Sequence, residues 1–412
     1  MKLKTKAVKL LFYSICFFTP LISINSPAQS ADYHREESPA ISWNGFVLYD
    51  SRAAACAGIS FFTSAASAAI ANPALMHKTD GIAASASYSL IGSTAYQYSM
   101  INTGVYYSSD KQYEFNPAFS ALSAVFNIAD ATIGIGYYKQ SLMELPDIDV
   151  IDTGYSASAV FSGKEDAYYL AISYPIADIY IGAKLTFVSG NRYLDFSELY
   201  DSVITISQNE NYDFDYFVLS FGTSWEVSDS ISLSAAFDYP IKSVMNSEIE
   251  RSFDANITGG GHIHSTASSK DDLYRPSKIT FAAGFAPFSQ PTDKPENAFK
   301  IGLEINYIFW NSYKYVLFGE ELVREFDNTA LAALGLEFPI NCFGLDLLLR
   351  GGYRLDPQPT TEPSITLHWL TFGAGGNLAQ ITFDIAGSYC FGSLPSWTAQ
   401  NYTIVATLGV RL

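Results

Sequence analysis

The chain has 412 residues, of which 48% are hydrophobic and 15% aromatic but only 16% charged, against about 25% charged in a typical soluble domain. That balance excludes a disordered chain and speaks against an ordinary soluble enzyme. A net charge of −17, from 24 basic and 41 acidic residues, leaves no basic stripe for nucleic acid, and five His with four Cys leave little material for a metal cluster.

Residues 1–30 read as a leader. Lys2, Lys4, Lys6 and Lys9 form a positive start, Leu10–Phe18 an apolar stretch, and Ala28-Gln29-Ser30 a small-residue cleavage site. The apolar stretch is too short for a membrane span. Residues 31–80 follow as a separate unit. Within them Ala53–Ile70 carries no charge, but it is built of Ala, Ser and Gly rather than large aliphatics. It gains little from lipid and suits close packing against another surface.

From residue 81 onward the pattern has a period of two. In Ile179–Phe187 the odd positions are Ile179, Ile181, Ala183, Leu185 and Phe187, and the even ones Tyr180, Gly182, Lys184 and Thr186. Ile231–Tyr239, Ile301–Phe309, Ile381–Tyr389 and Tyr402–Leu412 alternate in the same way. Successive side chains of a strand point to opposite faces, so each segment has one apolar and one polar or small face. Fourteen strands are expected near 82–97, 116–128, 131–144, 165–176, 179–190, 212–226, 231–244, 277–288, 298–311, 327–340, 343–354, 364–376, 381–391 and 402–412. Short turns, such as Ala129-Asp130 and Ala177-Asp178, alternate with longer segments at 145–164, 191–211, 245–276, 312–326, 355–363 and 392–401. Strands of about ten residues, an even strand number and this sorting of loops define the expected fold class. It is all-β, a 14-stranded antiparallel transmembrane β-barrel over 81–412, closed because lipid cannot satisfy a sheet edge.

Such a barrel is too wide for its wall side chains to fill, so residues 31–80 are expected to act as an N-terminal hatch inside the lumen. Pro73 would fix the backbone there and Asn72 bond nearby backbone groups. Charged residues on the polar faces would form a lumen network: Lys184, Asp238, Lys300, Glu304 and Arg350, with Glu337, Asp346, Asp384 and Arg411 on the same side. Two girdles of aromatic residues are expected from Tyr137-Tyr138, Tyr168-Tyr169, Trp225, Tyr239, Trp310, Tyr353, Trp369, Tyr389 and Tyr402. No catalytic constellation stands out. His262-Ile263-His264 lacks the neighbours of a tetrahedral metal site, and His368 has no evident Ser partner. Neither metal nor cofactor is expected.

Two stretches carry a family resemblance. One is Gly58 followed by Asn72-Pro73-Ala74 at the end of the small-residue segment. The other is Arg350-Gly351-Gly352-Tyr353-Arg354-Leu355-Asp356-Pro357. With the strand number and loop order, these resemble the FadL-type outer-membrane transporters for long-chain fatty acids and other hydrophobic compounds, over roughly 50–412. The resemblance implies a passive channel for a hydrophobic ligand such as a fatty acid, embedded as a monomer in outer-membrane lipid. Arg192, Lys314 and Arg354 would be candidates for a carboxylate head group, and Gly58, Asn72, Pro73 and Ala74 would be hatch residues. The last strand resembles the signal read by the barrel assembly machinery, a partner during biogenesis. Ser64-Ala65 stand where family hatches carry acids. The upper half of the third strand, Tyr137–Leu145, has no glycine at which a lateral gate could kink. A barrel acting through its outer loops, as an adhesin or assembly scaffold, is the alternative.

Overall fold

The computed structural model describes residues 49–79, 81–94, 113–144, 148–152, 155–200, 204–255, 262–287, 299–317, 320–322, 326–342, 345–359, 366–394 and 397–412. The expected leader, residues 31–48 and Asp80 lie outside the described residues.

Fourteen antiparallel strands form the wall: β1 (Ile82–Thr94), β2 (Tyr113–Ile128), β3 (Ala131–Glu144, continued by Ile148–Asp152), β4 (Tyr155–Ile176), β5 (Ile179–Tyr200), β6 (Ile204–Ser228), β7 (Ile231–Pro240 and Ser243–Ala255), β8 (His262–Tyr274 and Lys278–Phe285), β9 (Lys300–Ile308 and Lys314–Leu317), β10 (Glu320–Leu322 and Thr329–Cys342), β11 (Leu345–Pro357), β12 (Thr366–Leu378), β13 (Ile381–Leu394) and β14 (Trp397–Arg411). Each strand pairs with its neighbours in sequence, and β14 returns to β1 from Ala83↔Arg411 to Ser93↔Asn401. Reciprocal backbone bonds between Ile82 and Leu412, 3.0 and 2.8 Å, lock the seam at its lower end.

That lower end also carries the tightest turns. Ala129, Ala177 and Ala379 sit at their first positions with φ of 52°, 54° and 54°, a left-handed conformation that lets two residues reverse a strand. Alternation does the rest. On β14, Tyr402, Ile404, Ala406 and Leu408 are exposed, while Thr403, Val405 and Thr407 are buried. The exposed set around the wall includes Ile135, Leu170, Leu185, Phe281, Leu303, Ile305, Phe372 and Ile385. This apolar outer band is the surface of a membrane-spanning barrel. Among the described residues no helix is long and apolar enough to cross a membrane.

Three departures from the sequence reading have physical causes. Much of 145–164, 191–211 and 245–276, read as loops, is strand: β4 and β5 run for 22 residues each and β6 for 25. About ten residues cross a membrane, so the rest of each strand stands above it. There both faces are wet and the apolar–polar alternation fades, yet the ladder continues through pairs such as Asn191↔Asp213 and Gln208↔Arg251. Second, only part of the aromatic set faces outward. Tyr168, Trp225, Tyr239, Tyr353 and Tyr402 are exposed, whereas Tyr169, Trp310 and Trp369 are buried and Tyr138 lines the lumen. Adjacent residues on a strand must point to opposite faces, so Tyr137-Tyr138 and Tyr168-Tyr169 could not both serve the girdle. Third, β9 is interrupted by a 3-10 turn at Trp310–Ser312, where Trp310 Nε1 donates to Thr329 Oγ1 at 3.1 Å.

Leu170 lies in mid-strand on the outer face, paired with Ile135 and Leu185. Leu170→Arg is expected to destabilise the barrel by about 2–4 kcal/mol, the cost of a cation near the bilayer midplane. Urea unfolding in lipid vesicles, followed by the shift between unheated and heated mobility on gels, measures it.

Candidate functional site

Inside the wall lies the segment Tyr49–Thr79. Helix α1 (Ser51–Ala55) starts because Asp50 caps it: Oδ1 accepts from Ala53 N and Oδ2 from Ser64 N, both at 2.9 Å. Ala57 and Gly58 then take φ of 60° and 84°. This lets Gly58 N reach back to Ala53 O at 2.8 Å, the close that glycine allows a helix end. The acid bonded at Ser64 is Asp50, fourteen residues earlier in the chain.

The Asn72-Pro73-Ala74 tripeptide follows helix α2 (Ala68–Ala71). Asn72 Oδ1 accepts from Ala74 N at 3.0 Å, capping the 3-10 turn Pro73–Lys78, whose φ Pro73 pre-sets. Asn72 Nδ2 donates to Thr223 O at 3.3 Å and Ala235 O at 3.1 Å, on β6 and β7. One side chain thus ends a helix, starts a turn and clips the segment to the wall.

The wall makes room with glycine. Gly182 and Gly222 face each other across β5 and β6. A Cβ on Gly182 would lie 2.5 Å from Pro73 C and Ala74 N, and one on Gly222 would collide with Asn72 Oδ1. A second row, Gly302, Gly335 and Gly352, runs in register across β9, β10 and β11. It lies beneath Phe62, Ile59, Cys56 and Ala57. Ala53–Ala55 pack on Trp369, Leu367 and Cys390, and Ala69, Leu75 and Met76 on Val125 and Tyr169. Much of the buried core is this contact between segment and wall, and a further cluster of Ala167, Val188, Phe214, Tyr216, Met245 and Leu273 lies within the wall itself. Burial pushes the Cys56 thiol well above its usual range, which leaves it an unreactive packing group.

Charge completes the attachment. Arg52 donates from Nε and Nη2 to the two Glu337 oxygens at 2.9 and 2.7 Å. Glu337 is fully buried and also holds Arg350 Nε at 2.7 Å and Lys300 Nζ at 3.5 Å, while Arg350 bonds Asp384. Burial alone would lower the Arg52 pKa, but the Glu337 charge and hydrogen bonds outweigh it and raise it. Lys184 Nζ donates to Ile70 O at 2.6 Å, and Glu304 Oε2 accepts from Ser60 N at 2.7 Å. Asp238 pairs with Lys278 at 3.0 Å.

Above the segment is a cavity of about 350 Å³. Its floor includes Tyr49, Gly58, Ser60 and Ile70, and its walls include Tyr138, Tyr216, Val218, Trp310 and Leu331. Five cations, Lys139, Lys184, Arg275, Lys278 and Arg354, face four carboxylates, Glu165, Asp238, Glu304 and Asp356. Of the head-group candidates, Arg354 lines this cavity. Its Nη2 lies 3.4 Å from Asp356, and its Nε is buried with no hydrogen-bond partner among the described residues. Arg192 is not part of the cavity lining; it stands 3.5 Å from Glu165 and over the Phe214 ring. The Lys314 backbone begins the upper part of β9, paired with Tyr274, and its side chain lies outside the described residues. Arg275, Glu165 and Tyr216 were not singled out from sequence. Arg275 fell in a stretch read as loop, where the direction of a side chain is unreadable; its place before Pro276, at a break in β8, was the one available signal. Arg52 and Glu337 were legible as charges but not as partners. His262 and His264 stand on an exposed hairpin beside Asp254 and Glu250, and among the described residues no three His, Cys, Asp or Glu converge on a metal position.

One stretch of wall is unzipped. The β2–β3 ladder runs from Ile128↔Ala131 up to Ala121↔Tyr138 and stops. Among the described residues, higher positions of β2 pair only with β1, and Ser141–Glu144 of β3 pair only with β4. Both strands carry an extra residue at this height: Ser120 between the pairs Ser87↔Ala121 and Tyr88↔Phe119, and Gln140 between Lys139↔Asp166 and Ser141↔Glu165.

A closed fourteen-stranded barrel with its N-terminal segment folded into the lumen is thus the architecture. No sequence-family model and no curated protein sequence matches the chain. Solved structures with the same fold include the Pseudomonas putida toluene transporter TodX, at a TM-score of 0.65 and 15% identity, covering 88% of this chain and 98% of that one. A Pseudomonas aeruginosa FadL homologue matches at 0.61 and 14%, covering 88% and 97%. The CymD monoaromatic hydrocarbon channel matches at 0.60 and 13%, covering 89% and 99%. The chain therefore shares the FadL-type barrel fold, in agreement with the resemblance carried by its sequence.

Glu337→Gln leaves the buried Arg350 and the partly buried Arg52 facing a neutral amide, a loss of up to about 3–5 kcal/mol in comparable buried pairs. Expected outcomes are a segment that protease removes faster from the refolded barrel and a larger single-channel conductance in planar bilayers. Native conductance and protease resistance would show that Glu337 does not hold the segment.

Proposed function

We propose that this protein is a passive outer-membrane channel for hydrophobic small molecules, most specifically long-chain fatty acids. In this reading residues 1–30 are a leader, 31–80 a hatch and 81–412 the barrel. The observation that carries it is the pairing of a blocked lumen with a break in the wall. The segment fills the barrel below the cavity, and the β2–β3 ladder ends at the height of Tyr138, which lines that cavity. A molecule entering from above meets a closed floor and an opening toward lipid. An apolar molecule gains by leaving sideways, because hydrocarbon is its preferred solvent; a polar one does not.

The cavity supports an amphipathic ligand. Tyr138, Val218, Trp310 and Leu331 offer surface for a chain, and the Arg354 and Arg275 Nε groups are buried donors without acceptors among the described residues. A carboxylate would satisfy them, and charge-assisted bonds of this kind are the strong ones. The related folds support the class of cargo: one is described as a toluene transporter and another as a monoaromatic hydrocarbon channel. A carboxylated chain is preferred for this protein because of the cavity's cations.

Binding of fluorescent fatty acids of increasing length to the purified barrel tests this. Affinity should rise with length, by up to about fourfold per methylene from burial of roughly 0.8 kcal/mol each. Arg354→Glu should weaken acids about tenfold or more, a change of about 1.4 kcal/mol, and leave the matching alcohols nearly unchanged. Absence of saturable binding would sink the proposal.

A further inference from the structure

The bulge at Gln140 is not held by its own ladder. Its side chain turns into the cavity and Nε2 donates to the Tyr216 hydroxyl at 2.9 Å. That hydroxyl donates to Glu165 Oε2 at 3.2 Å, and Glu165 Oε1 accepts from Arg275 Nη2 at 2.6 Å. Glu165 is 2% exposed, so a donor withdrawn from it would be costly to lose. The Arg275 guanidinium lies over the Phe214 and Tyr216 rings, at 4.9 and 5.0 Å, which fixes the plane of Tyr216. Four side chains from β3, β6, β4 and the break in β8 thus form one chain of bonds across the cavity wall, ending on the bulged residue.

We infer that Gln140, anchored through Tyr216 and Glu165 to Arg275, is the positioning residue that keeps β3 away from β2 and so holds the wall break open. This rests on the channel reading above and adds the element that sets its exit. The upper half of β3 has no glycine, so its bend has another origin. An extra residue in one strand bends that strand and increases its twist, and the β2 ladder ends one residue before the bulged stretch begins. Opposite it, the Ser120 bulge bends β2 at the same level. A bulge costs ladder bonds and persists when its side chain is tied elsewhere; here the tie is the Tyr216 hydroxyl. Without it, β3 above Tyr138 is free to straighten and zip onto the unpaired upper part of β2.

Two variants test the inference. Tyr216→Phe keeps the ring beneath Arg275 and removes the hydroxyl that joins Gln140 to Glu165. Deletion of Gln140 removes the bulge while retaining every cross-strand pair on either side of it, since Lys139 already faces Asp166 and Ser141 faces Glu165. With a fluorescent C16 fatty acid as probe, equilibrium binding to the purified barrel and the rate of transfer from barrel to surrounding lipid are measured separately. The expected result is binding within about twofold of the native barrel but transfer slowed about fivefold or more, in both variants, with heat-shifted gel mobility retained. A structural defect would instead weaken binding and transfer together. Native transfer rates in both variants, with binding intact, would overturn the role of Gln140 and leave the channel reading standing. No saturable binding by the native barrel would remove the channel reading, and this inference with it.

Discussion

Hydrocarbon offers no partner to a backbone amide or carbonyl, and the rest of this structure depends on that constraint. It forces the wall to close, which the chain achieves by bringing β14 back to β1 and tying Ile82 to Leu412. Because the β1–β14 seam is antiparallel like the other pairs, the strand number is even. Closure with fourteen strands then creates the second problem, a lumen wider than its side chains can fill.

The lumen is filled by a segment, and the two surfaces are matched by omission. Where the segment comes nearest, the wall has glycine: Gly182 with Gly222 under the tripeptide, and Gly302, Gly335 and Gly352 under residues 56–62. The segment lays Asn72, Pro73 and Ala74 over the first pair and Cys56, Ala57, Ile59 and Phe62 over the second row, so its atoms take the space that wall Cβ atoms would occupy. Polar contacts then hold position. Asn72 reaches the backbone of two strands, Glu304 caps Ser60, Lys184 holds Ile70, and Glu337 gathers Arg52 and Arg350. A buried carboxylate surrounded by three cations gives specificity of placement more than net stability, which suits a segment that must sit in one register inside a symmetric tube.

The break in the wall is the exception that the same constraint explains. Among the described residues, unpaired strand edges between β2 and β3 lie above the Ala121↔Tyr138 pair, with Gln140 and Ser120 bulged at that level. Below it the ladder is continuous through the turn at Ala129-Asp130. The cavity's cations stand at the same height as the break.

Period-two alternation made the wall legible from the sequence. In Ile179–Phe187 and Tyr402–Leu412 the face of every residue could be assigned, and the same pattern elsewhere gave Lys184, Asp238, Lys300, Glu304 and Arg350 as the expected inner set. The alternation exists because lipid on one face and lumen on the other impose opposite demands on neighbours. Above the membrane those demands vanish, and there the sequence no longer showed that 191–200 and 204–211 are strands. Pairings between distant residues were also beyond it. That Arg52 would meet Glu337, that Asp50 would bond at Ser64, that glycines spread over five strands would align into two rows, and that Gln140 would reach Tyr216 all follow from closure and register. The sequence by itself determined which face each wall residue takes, because that is a local property with a period of two. Only the tertiary structure decided which inward residues meet, because closing the barrel sets their neighbours.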